Sequence, residues 1–194
     1  MKRTSIIASL VIALVLATAS VALADTIKSR APMYDHPSGT AGTEVGWTQL
    51  HRDDDRIRAT VNTSDLKPGG VYTFWWVTVP TGDPADGVFV DLLGSTIAGR
   101  NGKATVHGSV SVGTPSIVLE DGVTPAVSFV EMTNPKEAIV RVEVAYHGQA
   151  DSENYSDDWL LDFWTGEEPM CSEFPGPGFN HCPIVQASQD IPSS

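Results

Sequence analysis

The residues whose types could carry chemistry are few. There are five histidines, His36, His51, His107, His147 and His181, and two cysteines, Cys171 and Cys182. Two acidic runs stand out, Asp53-Asp54-Asp55 and the carboxylates within 151–158. No two histidines stand at metal-ligand spacing. His107 and His147 fall on the polar faces of expected strands, where exposure is the expected state, and they would converge on a metal only if those strands were neighbours. A calcium site needs carboxylates and carbonyls converging from loops, which both acidic runs could offer, although neither follows the EF-hand pattern. The candidate metal ligands are therefore Asp53, Asp55, Asp157 and Asp158, with calcium as the cation they suit and no other cofactor expected.

No nucleophile elbow, paired-histidine zinc helix, C-x-x-C or phosphate loop occurs in the chain. A carboxylate pair for glycoside hydrolysis is set in space and not along the chain, so it leaves no sequence mark. No catalytic residue is nominated. Five tryptophans, Trp47, Trp75, Trp76, Trp159 and Trp164, invite a different use. Core packing is the ordinary fate of such residues. Aromatics left on the surface of a β-sandwich stack on sugars or dock partners, and Trp47, Trp159 and Trp164 are the candidates for that role.

The N-terminus has Lys2 and Arg3, an apolar run over 6–16 and the small-x-small triplet Ala22-Leu23-Ala24. That is the pattern of a secretory signal peptide over 1–24, and the protein is expected to be secreted or periplasmic. No second long apolar run follows, so no integral membrane segment is expected after cleavage. Residues 1–24 hold two of the 12 basic residues and none of the 24 acidic ones, which leaves a formal charge of −14 over the rest. That balance argues against nucleic acid or anionic lipid as a partner, since both are held by basic patches. In an oxidising compartment Cys171 and Cys182 are expected to form a disulfide around the Pro- and Gly-rich "SEFPGPGFNH". Closing such a loop is worth roughly 3 kcal/mol in the chain-entropy picture. The alternative, a metal site with His181, matches no strong ligand spacing.

The elements that must position these residues read as short strands. Residues 25–43 are polar and broken by Pro32, Pro37 and Gly39, and are expected to be a loose lead-in to a domain spanning 44–194. Period-two alternation over 56–63 marks a half-buried strand. "VYTFWWVTV" places Tyr72, Phe74 and Trp76 on one face and Val71, Thr73 and Trp75 on the other, so a two-sided central strand with both tryptophans buried is expected. Residues 88–98 suit one or two strands. Asn101-Gly102 signals a hairpin into Ala104, Val106, Gly108 and Val110. Stretches 116–119 and 126–132 are shorter candidates, and 138–147 alternates Val140, Val142, Val144 and Tyr146 with Arg141, Glu143, Ala145 and His147. No long helical period occurs. The expected fold is all-β, a single antiparallel β-sandwich of Ig-like or Greek-key type with a C-terminal disulfide loop.

The stretch "NTSDLKPGGVYTFWWVTV" resembles a group of exported β-sandwich proteins that share a strand of the form L-x-P-G-x-x-Y-T-x-W-W-V. Further likenesses are the G-x-x-G-x-A-T hairpin at 99–105, the late strand ending in His147-Gly148, Phe163 to Gly166, the cysteine-bounded loop and Val185-Gln186. In those relatives the loop after the tryptophan strand carries cysteines, whereas "PTGDPADG" has none, so a binding role shared through that loop would be lost here. A more distant resemblance is to the extracellular CHRD-type domain. Neither resemblance implies a catalytic residue. The expected function is an exported, non-catalytic β-sandwich that binds a glycan or protein partner at the envelope or outside the cell. The alternatives are a carboxylate- or metal-dependent extracellular hydrolase and a structural envelope or matrix component.

Overall fold

A computed structural model describes residues 26–117, 129–150 and 184–192. The strands are β1 (Ile27–Tyr34), β2 (Glu44–Arg52), β3 (Arg56–Thr63), β4 (Gly70–Val79), β5 (Phe89–Ile97), β6 (Ala104–Ser111), β7 (Ile139–Gln149) and β8 (Ile184–Ser188). All strand ladders are antiparallel and join into one sheet ordered β5-β4-β7-β8-β1-β2-β3-β6. The sheet curls until its terminal strands, β5 and β6, lie side by side. Round the resulting barrel the order is β1-β2-β3-β6-β5-β4-β7-β8. Strands β3 to β6 thus form a Greek key in which the fourth strand returns beside the first. The expected all-β antiparallel Greek-key architecture is what the chain adopts, as one nearly closed sheet.

The alternation read in β3, β4, β6 and β7 selects the inner face. Tyr72, Phe74 and Trp76 join Ile57, Ala59, Val61, Val106, Val110, Val140, Val142 and Val144 in one core. Trp75 lies on the opposite face, yet it is only 5% exposed and packs with Ala145, Val90, Leu92, Ile117 and Ile184 in a second, smaller cluster. Both tryptophans are therefore buried, one on each side of β4. Truncating a buried aromatic such as Trp76 to Ala costs about 3–5 kcal/mol.

The L-x-P-G-x-x-Y motif turns out to be a corner. The Tyr72 hydroxyl accepts the Lys67 amide at 2.8 Å. Gly70 slots against the rings of Tyr72 and Tyr146, where a Cβ would come within 2.9 Å of each. Gln186, of the "VQ" pair, is buried and ties β8 to the end of β3, accepting from Thr63 at 2.6 Å and donating to the Ser64 carbonyl at 2.8 Å. These residues hold the barrel's shape.

Several expectations change. Residues 27–34 of the lead-in form β1, a strand between β8 and β2. Pro32 is tolerated there because, among the described residues, β8 pairs with β1 only at Met33 and Tyr34, so no described ladder bond needs an N–H at Pro32. Residues 89–97 form a single strand, in which Leu93 is the extra residue of a bulge between the pairs Phe74–Gly94 and Trp75–Leu92. Asn101-Gly102 does make the β5–β6 turn, with Gly102 at φ 67° and its amide bonded to the Gly99 carbonyl. The two strands nevertheless form no ladder. They meet at glycines instead: a Cβ on Gly108 would lie 2.4 Å from the Leu93 carbonyl oxygen. Of the shorter candidates, the first meets β5 where the Ile117 amide bonds to the Val90 carbonyl; in the second, Phe129 bridges Val88 just before β5, and Met132 exchanges bonds with Gly113 and Thr114. Among the described residues no helix is long and apolar enough to cross a membrane.

Candidate functional site

Among the described residues, those nominated by the sequence do not gather into one site. Asp53 opens the β2–β3 turn. Its carboxylate accepts the Asp55 and Arg56 amides at 3.1 and 3.0 Å and the Arg56 and Arg58 side chains at 3.3 and 3.5 Å. Desolvation pushes its pKa up, but these bonds and the Arg56 charge outweigh that and hold it below the ordinary carboxylate value. Asp54 pairs with Lys136 at 2.6 Å, and Asp55 is exposed. Among the described residues no three histidines, cysteines or carboxylates stand together as metal ligands. Asp157, Asp158, Trp159, Trp164, Cys171 and Cys182 lie outside the described residues.

His147 corrects an expectation. Alternation places it on the outer face of β7, where exposure was expected, but it is fully buried. His107 is exposed on β6, which pairs with β3 and not with β7, so the two imidazoles do not converge. A bulge accompanies His147: Gly70 pairs with Gln149 but Tyr72 with Tyr146, so His147 and Gly148 share one partner position, with Gly148 at φ 108°. The imidazole Nε2 lies 2.7 Å from the Thr73 hydroxyl, which also accepts the Trp75 indole N–H at 2.8 Å. The indole can only donate, and a hydroxyl holds one donor and two acceptor sites, so Thr73 joins the two rings whichever imidazole tautomer is present. Burial lowers the His147 pKa to about 4, which keeps the ring neutral. A hydroxyl beside an imidazole base has the form of an activated nucleophile. Here both partners are fully buried, and the hydroxyl is already engaged by the indole. The triad serves as a polar clasp across the outer face of β4 and β7.

Arg52 lies on the inner face of β2, fully buried, and donates to the Ile191 and Pro192 carbonyls at 2.7 and 3.1 Å. Among the described residues its Nε finds no partner, and burial lowers its pKa to about 10. This guanidinium holds the segment after β8 in place, where Ile191 bridges Val140. Asp91 stands opposite Trp76 in the β4–β5 ladder, and burial raises its pKa against the lowering effect of the Leu92 amide. Glu143 is raised in the same way, chiefly by burial, with Arg141 opposing and Asp190 adding to it.

The constellation best placed to meet another molecule is the outer face of β1, β2, β3 and β6. Pairing lays its side chains in rows. Pro32, Trp47, Asn62 and Thr105 form one row, Arg30, Gln49, Thr60 and His107 the next, and Lys28, His51, Arg58 and Ser109 the third. With strands about 4.8 Å apart and same-face residues about 6.8 Å apart, this is a surface about 14 Å on each side. Apart from Glu44 at the start of β2, none of the four strands carries an acidic residue. The Arg30 guanidinium sits over the Trp47 ring at 4.5 Å. Cross-strand bonds of 3.0 Å link Thr60 to His107 and Asn62 to Thr105, and Gln49 meets His51 at 3.0 Å along β2. Lys28, Arg30, Arg58, Thr105, His107 and Ser109 are exposed, and Trp47 is half-buried. Of the nominated binding tryptophans, Trp47 is thus placed on a surface. Its neighbours escaped the sequence because strand pairing order is not written in local periodicity. The readable signal was the run Arg56, Arg58, Thr60, Asn62 on one face of β3.

No family model matches the chain, and no curated protein matches it. Among solved structures, the chain is similar to the Cu/Zn superoxide dismutase from Brucella abortus at 15% identity and a TM-score of 0.37, covering 87% of this chain and 100% of that one.

Proposed function

We propose that this is an exported, non-catalytic β-barrel protein whose outer β1-β2-β3-β6 face binds a ligand at the cell envelope or outside the cell. The observation that carries the reading is that face: exposed, almost free of acidic side chains in a chain of formal charge −12, and furnished with Trp47, Arg30 and rows of hydroxyl, amide and imidazole groups. Aromatic bodies with polar neighbours are what a binding surface uses to combine contact area with direction. Export rests on the N-terminal pattern, and the resemblance to exported β-sandwich proteins points the same way. The non-catalytic part rests on the sealed state of the Thr73–His147 pair and on Asp53 being engaged by its own turn. An array of extracellular polysaccharides probed with the full chain and with W47A tests it. Binding that W47A abolishes, with the melting temperature kept, is the expected result. Silence across the array, or binding indifferent to W47A, would remove this face from consideration.

A further inference from the structure

We infer that the ligand of this face is an anionic polysaccharide, one bearing carboxylate or sulfate groups, gripped across β1 and β3; this rests on the binding role proposed above. The argument is charge segregation. The part of the chain after the signal peptide has ten basic residues, and four of them, Lys28, Arg30, Arg56 and Arg58, lie on this one outer face. At the Arg56 end the charge is answered by Asp53, which takes Arg56 at 3.3 Å and reaches Arg58 at 3.5 Å. At the other side of the face nothing answers it. Among the described residues neither Lys28 nor Arg30 has a carboxylate within ion-pairing distance. Two exposed cations with no acidic partner stand on alternate positions of β1, about 6.8 Å apart along the strand.

The groups between and beside these cations suit sugars. Gln49, Thr60, Asn62, Thr105 and Ser109 offer hydroxyls and amides that both donate and accept, as a polyol requires. The Trp47 ring lies in the neighbouring row beneath the Arg30 guanidinium. An acidic group that draws Arg30 away would uncover that ring for a sugar face. The net negative charge of the chain as a whole repels a long polyanion, so binding concentrates on the exposed cations of this face and falls with salt.

The experiment measures retention of the full chain on four probes: a sulfated dextran oligomer, a polygalacturonate oligomer, neutral dextran and a single-stranded oligonucleotide, at low and moderate salt. K28A/R30A and W47A are compared with the parent; Lys28 and Arg30 are exposed, and melting temperature checks that both variants fold. The expected result is binding to the sulfated or uronate oligomer and none to neutral dextran. Loss of two charge-assisted contacts in K28A/R30A weakens that binding by about tenfold or more. Neutral dextran bound as well as the charged oligomers, with W47A silent and K28A/R30A unaffected, overturns the anionic ligand while leaving the face a binding site. An oligonucleotide bound more tightly than either glycan overturns it in favour of nucleic acid. No probe bound, with self-association that K28A/R30A abolishes, overturns it in favour of a second copy's acidic residues. No probe bound and no self-association overturns both this inference and the binding role.

Discussion

The Thr73 hydroxyl stands 2.7 Å from Nε2 of His147, and this contact places an uncharged imidazole inside the protein. Its pKa is lowered from 6.5 to about 4 by burial. Between those values the unfolded chain takes up a proton that the folded chain refuses. The stability linked to this group is whole above about pH 6.5 and drains as pH falls towards 4. The expected loss between pH 7 and pH 5 is about 2 kcal/mol from His147 alone. Asp91 and Glu143 act with the opposite sign: burial raises both, so the folded state is favoured as they protonate. Urea unfolding at pH 7 and pH 5 measures the slope. H147N should be less stable at pH 7 and should show a flatter profile; an equally steep profile would refute the assignment.

The β5–β6 meeting predicts a contrast between two glycines. A Cβ on Gly108 would strike the Leu93 carbonyl oxygen at 2.4 Å, and backbone cannot swing aside. A Cβ on Gly94 would press on the Val106 Cγ1 at 2.8 Å, a side-chain methyl, with the nearest backbone atom, the His107 carbonyl oxygen, at an ordinary 3.9 Å. G108A should cost about 1–3 kcal/mol as an overpacked site and G94A clearly less. Chemical denaturation of both variants decides it, and equal costs would show that the strands part more freely than their geometry implies.

Arg52 predicts a lesion at a distance. Truncation in R52A removes two charge-assisted bonds to the Ile191 and Pro192 carbonyls and empties a buried volume. A loss of about 2–4 kcal/mol is expected. Amide exchange at Ile191, whose N–H bonds to the Val140 carbonyl at 2.8 Å, should accelerate more than exchange in β3. Uniform acceleration would mean that Arg52 supports the barrel as a whole and not the segment after β8.

The Asp53 turn predicts indifference to calcium. All the contacts of its carboxylate come from amides and guanidiniums, which a cation would have to displace. D53A should leave the response of the full chain's melting temperature to millimolar calcium the same as the parent's. D53A should lower stability by about 1 kcal/mol through loss of the turn's bonds. A calcium-dependent rise that D53A abolishes would restore a cation to this turn.

The sequence made much of the barrel legible and little of its surface. Alternation in β3, β6 and β7 named the inner residues correctly, because a strand buried on one side must repeat every two residues, and in β4 it separated the two faces without choosing between them. The double tryptophan was readable as doubly buried for the same reason. β1 was hidden because Pro32 and its polar neighbours imitate a loop, and a proline is acceptable there because no described ladder bond needs its N–H. His147 was misplaced because alternation separates faces without saying what lies over them. Here the outer side of β4 and β7 is itself a small core around Trp75. The binding face was illegible as a whole: each strand shows its own polar residues, but only the order β1-β2-β3-β6 sets Lys28, Arg30 and Arg58 side by side.

The glycine-lined line between β5 and β6 also bears on how copies of this protein avoid one another. These strands are the two ends of the sheet, and ends are where foreign strands are recruited. Along β5 one stretch is occupied by Ser116 and Ile117, which bond to Val90, and just before the strand the Val130 amide takes the Val88 carbonyl. The remainder is shielded by the close approach of Leu93 to Gly108. A substitution that props the strands apart would therefore uncover two templating edges at once. It would turn a loss of stability into a route to domain exchange and aggregation.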